Sequence, residues 1–81
     1  MKFLVGLLLG SSVIFGAVDL NTANIKELSS LKGVGTKKAE AIISYREANC
    51  FDSIVELEKV KGIGKKTVAK NRDNLTVSEC K

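Results

Sequence analysis

The chain has 81 residues, 13 basic against 9 acidic, with a formal net charge of +4 and no histidine. That length allows one small domain and a thin core. Two cysteines without histidine make a poor zinc site, and no cluster of acids stands ready to hold a catalytic metal.

Residues 1–17 read as a signal peptide. Lys2 supplies a positive n-region, and Phe3 to Val18 form an uncharged apolar run. The run is shorter than the roughly 20 apolar residues of a membrane span, and it contains Gly6, Gly10 and Gly16. Cutting after Ala17 leaves a small residue at the last position but Phe15 two residues earlier, where a small one is preferred. An uncleaved anchor and a buried core helix are the alternatives. Loss of Lys2 with the leader takes the basic count from 13 to 12, so residues 18–81 carry +3 against their 9 acids.

Asn24-Ile25-Lys26-Glu27 has the form of a capping box with Asn as the cap. A short helix is expected from about Ile25 to Ser30, with Ile25, Leu28 and Leu31 on one face. Gly33 should end it, because a glycine tolerates the positive φ common at helix C-termini. Thr36 is placed to cap a second helix over about Lys37 to Ala48, whose apolar positions are Ala39, Ile42, Ile43 and Ala48.

Residues 49–52 read as a loop. Ser53-Ile54-Val55-Glu56 is again a capping-box pattern, which opens a third helix near Ile54. Ile54, Leu57 and Val60 repeat the spacing of the first helix. A fourth helix is expected from about Lys65 to Asn71, followed by a tail held by Leu75, Val77 and Cys80. The fold class is all-α, four short helices in residues 18–81. The first and third are too short to be stable alone and must be held by packing.

Cys50 and Cys80 both lie outside the leader. In an exported chain such a pair reads as a disulfide, worth about 3–4 kcal/mol by loop-closure entropy. Two unrelated buried thiols are the alternative.

One pattern occurs twice. Leu31-Lys32-Gly33-Val34-Gly35-Thr36-Lys37-Lys38 and Val60-Lys61-Gly62-Ile63-Gly64-Lys65-Lys66-Thr67 share a Lys, two Gly and a following Lys at an offset of 29 residues. Ile25, Glu27 and Leu28 recur as Ile54, Glu56 and Leu57. Such a repeat is one supersecondary unit used twice. Each turn runs into the start of a helix, where backbone N–H groups lack internal partners and the helix dipole is positive. A phosphate satisfies both. The glycines clear its approach, Val34 and Ile63 can turn inward as anchors, and the lysines add mobile charge. Lys32, Lys37 and Lys38 surround the first turn. Lys59, Lys61, Lys65, Lys66 and Lys70 surround the second, while the acids sit mostly elsewhere. A face of this kind attracts polyanions despite the modest net charge.

Two other uses of Gly-x-Gly do not fit. A Walker loop needs glycine where Lys59 stands and a single Lys before Ser or Thr. A dinucleotide fingerprint needs a third glycine and a preceding strand. A helix C-cap with solvated lysines would explain one copy but not two in matching contexts.

The run from Leu31 to Ile42, with Ala39 and Ile42 closing it, resembles the helix-hairpin-helix motif. The second copy matches through Thr67. It then departs, with Val68 where alanine is usual and Asn71 where isoleucine is usual. Residues 19–77 as a whole resemble the ComEA-type competence module. Asp19-Leu20-Asn21-Thr22-Ala23-Asn24 is similar to that family's opening and Asn74-Leu75-Thr76-Val77 to its ending. Tyr45-Arg46-Glu47 and Phe51-Asp52-Ser53-Ile54 fit between them.

The resemblance implies a tandem helix-hairpin-helix domain that binds double-stranded DNA without sequence preference. Paired hairpins would grip the phosphate backbone across the minor groove, outside the cytoplasmic membrane, during natural transformation. The residues it points to are Lys32 to Lys38 and Lys61 to Thr67. It implies no cofactor, and partners among the competence-channel proteins of the inner membrane. A protein-interaction or scaffold module of the cell envelope is the competing reading. An enzyme is a distant third, since helix-hairpin-helix units do occur in glycosylases and nucleases.

Overall fold

A computed structural model describes residues 17–80, so the expected signal peptide falls outside the described residues save for Ala17. In chain order the elements are a two-residue strand β1 (Val18–Asp19), helix α1 (Ile25–Ser29), helix α2 (Gly35–Ala48), a 3-10 helix η1 (Ile54–Lys59), helix α3 (Lys65–Asn71), a 3-10 turn η2 (Arg72–Asn74) and strand β2 (Leu75–Thr76). The fold is all-α in class, as expected. Among the described residues no helix is long and apolar enough to cross a membrane.

The repeat is written into the core. Leu28, Leu31, Val34 and Ala39 are buried, and so are Leu57, Val60, Ile63 and Val68, each 29 positions later. Helix α1 packs on α2, and η1 packs on α3. Leu20, Ala23, Ile42, Phe51 and Leu75 complete the buried set, with Tyr45 against Phe51 at a ring-centroid distance of 5.0 Å. Burial of this apolar surface holds helices that are too short to persist alone.

The capping box of α1 is formed. The Asn24 side-chain oxygen accepts from the Glu27 N–H at 2.8 Å, and the Glu27 carboxylate accepts from the Asn24 N–H at 2.9 Å. The one expected at Ser53 is not. Ser53 makes no capping bond, and the Glu56 carboxylate instead accepts from the Asp52 N–H at 3.1 Å. The segment that follows is 3-10 rather than α. With three residues per turn, Ile54, Leu57 and Val60 fall in line. In α1 the same spacing drifts by about 60° per step, and Ile25 is left 39% exposed instead of joining the core. Ala48, expected on the apolar face of α2, is also exposed.

Two short strands were not foreseen. Val18 pairs with Leu75 and Asp19 with Thr76, in parallel. Asn21 reinforces this junction. Its side-chain oxygen accepts from the Phe51 N–H at 2.9 Å, and its amide donates to the carbonyls of Phe51 and Ser78, each at 2.9 Å. The Arg46 guanidinium donates to the Leu20 carbonyl at 3.1 Å. Cys50 and Cys80 form a disulfide with Cα atoms 6.0 Å apart, which ties the tail to the loop between the two units. Every buried side-chain nitrogen or oxygen among the described residues has a hydrogen-bond partner.

Candidate nucleic-acid interface

Each repeat carries a tight turn of the same construction. The Val34 N–H donates to the Leu31 carbonyl at 3.1 Å, and the Ile63 N–H to the Val60 carbonyl at 3.0 Å. The third residue of each turn, Gly33 or Gly62, has φ of +76° or +89°. That is the signature of a type II turn, which favours glycine at this position. Val34 and Ile63 point inward, at 5% and 4% exposure. They anchor the hairpins from inside, the role expected of them within the two turns.

The turns feed directly into α2 and α3. Neither helix has a side-chain cap at its start, in contrast to α1. Thr36 was expected to cap α2. It instead lies one residue inside the helix, which begins at Gly35. The first N–H groups of both helices are therefore free of side-chain acceptors, at positions where the peptide dipoles sum to positive charge. Lys32, Gly33, Gly35, Thr36 and Lys37 are exposed at the first turn, and Lys61, Gly62, Gly64, Lys65 and Lys66 at the second.

The two sites differ at their second glycine. Gly35 has φ +66°, a left-handed conformation that disfavours a side chain. Gly64 has φ −114° and ψ −173°, extended backbone open to any residue.

Lys38 and Thr67 occupy matching positions of the repeat and are half-buried. Both reach across to the opposite hairpin. A Cβ placed on Gly62 would lie 3.6 Å from the Lys38 side chain, and one on Gly33 would lie 3.8 Å from the Thr67 hydroxyl. The Lys38 ammonium also donates to the Gly33 carbonyl at 3.3 Å. These reciprocal contacts bring the two turns together, so the exposed lysines of both belong to one surface region.

Asn71 adds a link that the repeat does not duplicate. Its side-chain oxygen accepts from the Lys32 N–H at 2.9 Å, and its amide donates to the Lys32 carbonyl at 2.9 Å. In the sequence this residue stood out only as a polar departure at an apolar position of the repeat. Among the described residues no group of acids, cysteines or histidines is arranged to hold a metal ion.

Residues 13–76 match the family described as the helix-hairpin-helix motif. The chain is 49% identical over 61 residues to ComE operon protein 1 of Bacillus subtilis, covering 74% of this chain and 30% of that protein. It is 46% identical over 66 residues to an uncharacterized protein of Haemophilus influenzae, covering 79% of this chain and 59% of that one. A segment of 51 residues, 62% of this chain, is 49% identical to 8% of the kinesin-like protein KIF22-B of Xenopus laevis. The chain thus matches less than two thirds of the length of each of these relatives.

Proposed function

The chain belongs to the helix-hairpin-helix family, in its ComEA-type form, and from that premise we propose that it is a non-enzymatic, sequence-independent receptor for double-stranded DNA outside the cytoplasm. The observation that carries the reading is the pair of uncapped helix starts, each beside exposed lysines and each braced on the other hairpin. Backbone N–H groups and lysines read phosphates and carry no sequence information. Two such sites on one rigid body suit the two strands that border a minor groove.

Export is supported by the apolar leader with Lys2 at its head and by the Cys50–Cys80 disulfide, a bond that persists in oxidising compartments. The process we assign to the protein is DNA uptake in natural transformation. It would hold incoming duplex in the periplasm and present it to proteins of the inner membrane.

The test is binding of the full-length protein to two unrelated duplexes across a salt series. Equal affinities are expected. If 4–6 phosphates are neutralised, log K should fall against log salt with a slope of about −4 to −5. A flat salt response, or strong preference for one duplex, would overturn the reading and favour a protein-interaction module.

A further inference from the structure

Position 71 is the repeat partner of position 42, where Ile42 is fully buried. Asn71 is as deep, at 1% exposure. A buried amide is costly unless it is hydrogen-bonded. Here the oxygen takes the Lys32 N–H, one amide hydrogen goes to the Lys32 carbonyl, and the other goes to the Thr67 carbonyl at 2.8 Å. An isoleucine, as at the partner position, could make none of these bonds.

The partners matter as much as the bonds. Lys32 lies in the first turn, and its side chain is exposed while its backbone is gripped at both polar groups. Thr67 lies in the first turn of α3, whose free N–H groups belong to the second site. The Asn71 amide therefore spans from the second phosphate-binding element to the first. We propose that Asn71 is a positioning residue for DNA binding, locking the Lys32 backbone to the start of α3 so that both hairpins meet one duplex at a fixed separation. This rests on the duplex-binding reading above.

The physical consequence lies in avidity. When two weak sites share a rigid frame, the second contact is intramolecular, and its contribution collapses if the geometry no longer fits. Small errors in a supporting shell are enough to loosen such a site. Removing the amide should free the first turn and take Lys32 and Lys37 out of joint engagement with Lys65 and Lys66.

The experiment compares full-length parent, Asn71→Leu and Asn21→Leu on mixed-sequence duplex DNA across a salt series. Circular dichroism establishes that each is folded at the working temperature. Asn21→Leu removes the same pattern of bonds at Phe51 and serves as the control for lost stability alone. Asn71→Leu should bind at least tenfold more weakly, with a salt slope shallower by about 1–2, at about 0.9 per lost phosphate. Asn21→Leu should keep the parent's slope. Should Asn71→Leu not fold, Asn71→Ser is read by the same criteria, because its hydroxyl cannot hold both Lys32 groups.

A folded Asn71 variant with the parent's affinity and slope overturns the proposal. So does an equal change of slope in Asn21→Leu, which would make the effect one of general stability. If the parent itself does not bind duplex DNA, the reading above falls first, and this one falls with it.

Discussion

Lys38 lies across Gly62, with its Cε, Cγ and Cδ all within 4.0 Å of where a Cβ at that glycine would be. Its ammonium meanwhile turns back to the Gly33 carbonyl. This lysine spends its length on joining the hairpins, unlike its exposed neighbour Lys37.

The two adjacent lysines should therefore behave differently. Lys37→Met is expected to make the salt slope of duplex binding shallower by about 1, the share of one phosphate contact. Lys38→Met keeps the stem on Gly62 and should shift the slope by less than half as much. Parallel salt titrations check this, and equal shifts would return Lys38 to the set of direct phosphate contacts.

The second glycines separate folding from binding. Gly35→Ala forces a side chain into a left-handed conformation and should cost about 1–2 kcal/mol. Gly64→Ala meets no neighbour and no forbidden backbone, so its stability should stay within about 0.5 kcal/mol of the parent. It should still weaken duplex binding, because the added methyl sits where a phosphate would approach. Urea unfolding and a binding assay on the same samples give both readings.

Reduction of the Cys50–Cys80 bond releases a loop of 30 residues. The entropic model puts its contribution at about 3–4 kcal/mol. Calorimetry with and without reductant should show a clear drop in Tm, and mass spectrometry of exported material should show two hydrogens fewer than the dithiol form. Free thiols in that material would contradict the structure.

Asn21→Leu leaves the Phe51 N–H and carbonyl without their partner. Unpaired buried groups of this kind cost about 1–3 kcal/mol each. For the two groups together, denaturant unfolding should show a loss of about 2–6 kcal/mol, and Phe51 should become more accessible to solvent.

The hairpins were the most legible part of the sequence because the repeat carries its own check. Leu28 with Leu57 and Val34 with Ile63 announce the same role twice, and both members of each pair are buried. The capping box at Asn24 was equally readable, since both partners lie within four residues. Ser53 offered the same letters and did not form the box. The Glu56 carboxylate accepts from the Asp52 N–H instead, ahead of a 3-10 helix rather than an α-helix. Ile25 misled for a related reason, because in an α-helix each three-residue step drifts by about 60° and a run of three such positions spreads off one face, whereas in a 3-10 helix it stays in line.

What stayed hidden was long-range. Asn21 to Ser78 and Asn71 to Lys32 join residues 57 and 39 positions apart, and nothing local marks either side chain as a clamp. Two-residue strands show no alternation to detect, so β1 and β2 become visible only when the ends of the domain are brought together.

The pairing of Val18–Asp19 with Leu75–Thr76 also orders events in time. A strand cannot pair before its partner exists, and non-local contacts of this kind are slow to close. The first strand must wait while almost the whole domain follows it, and the thiol at position 50 has its partner only when position 80 has followed as well. A chain that emerges with its N-terminus first can assemble each hairpin as it appears. It can seal the domain only once Leu75, Thr76 and Cys80 have emerged.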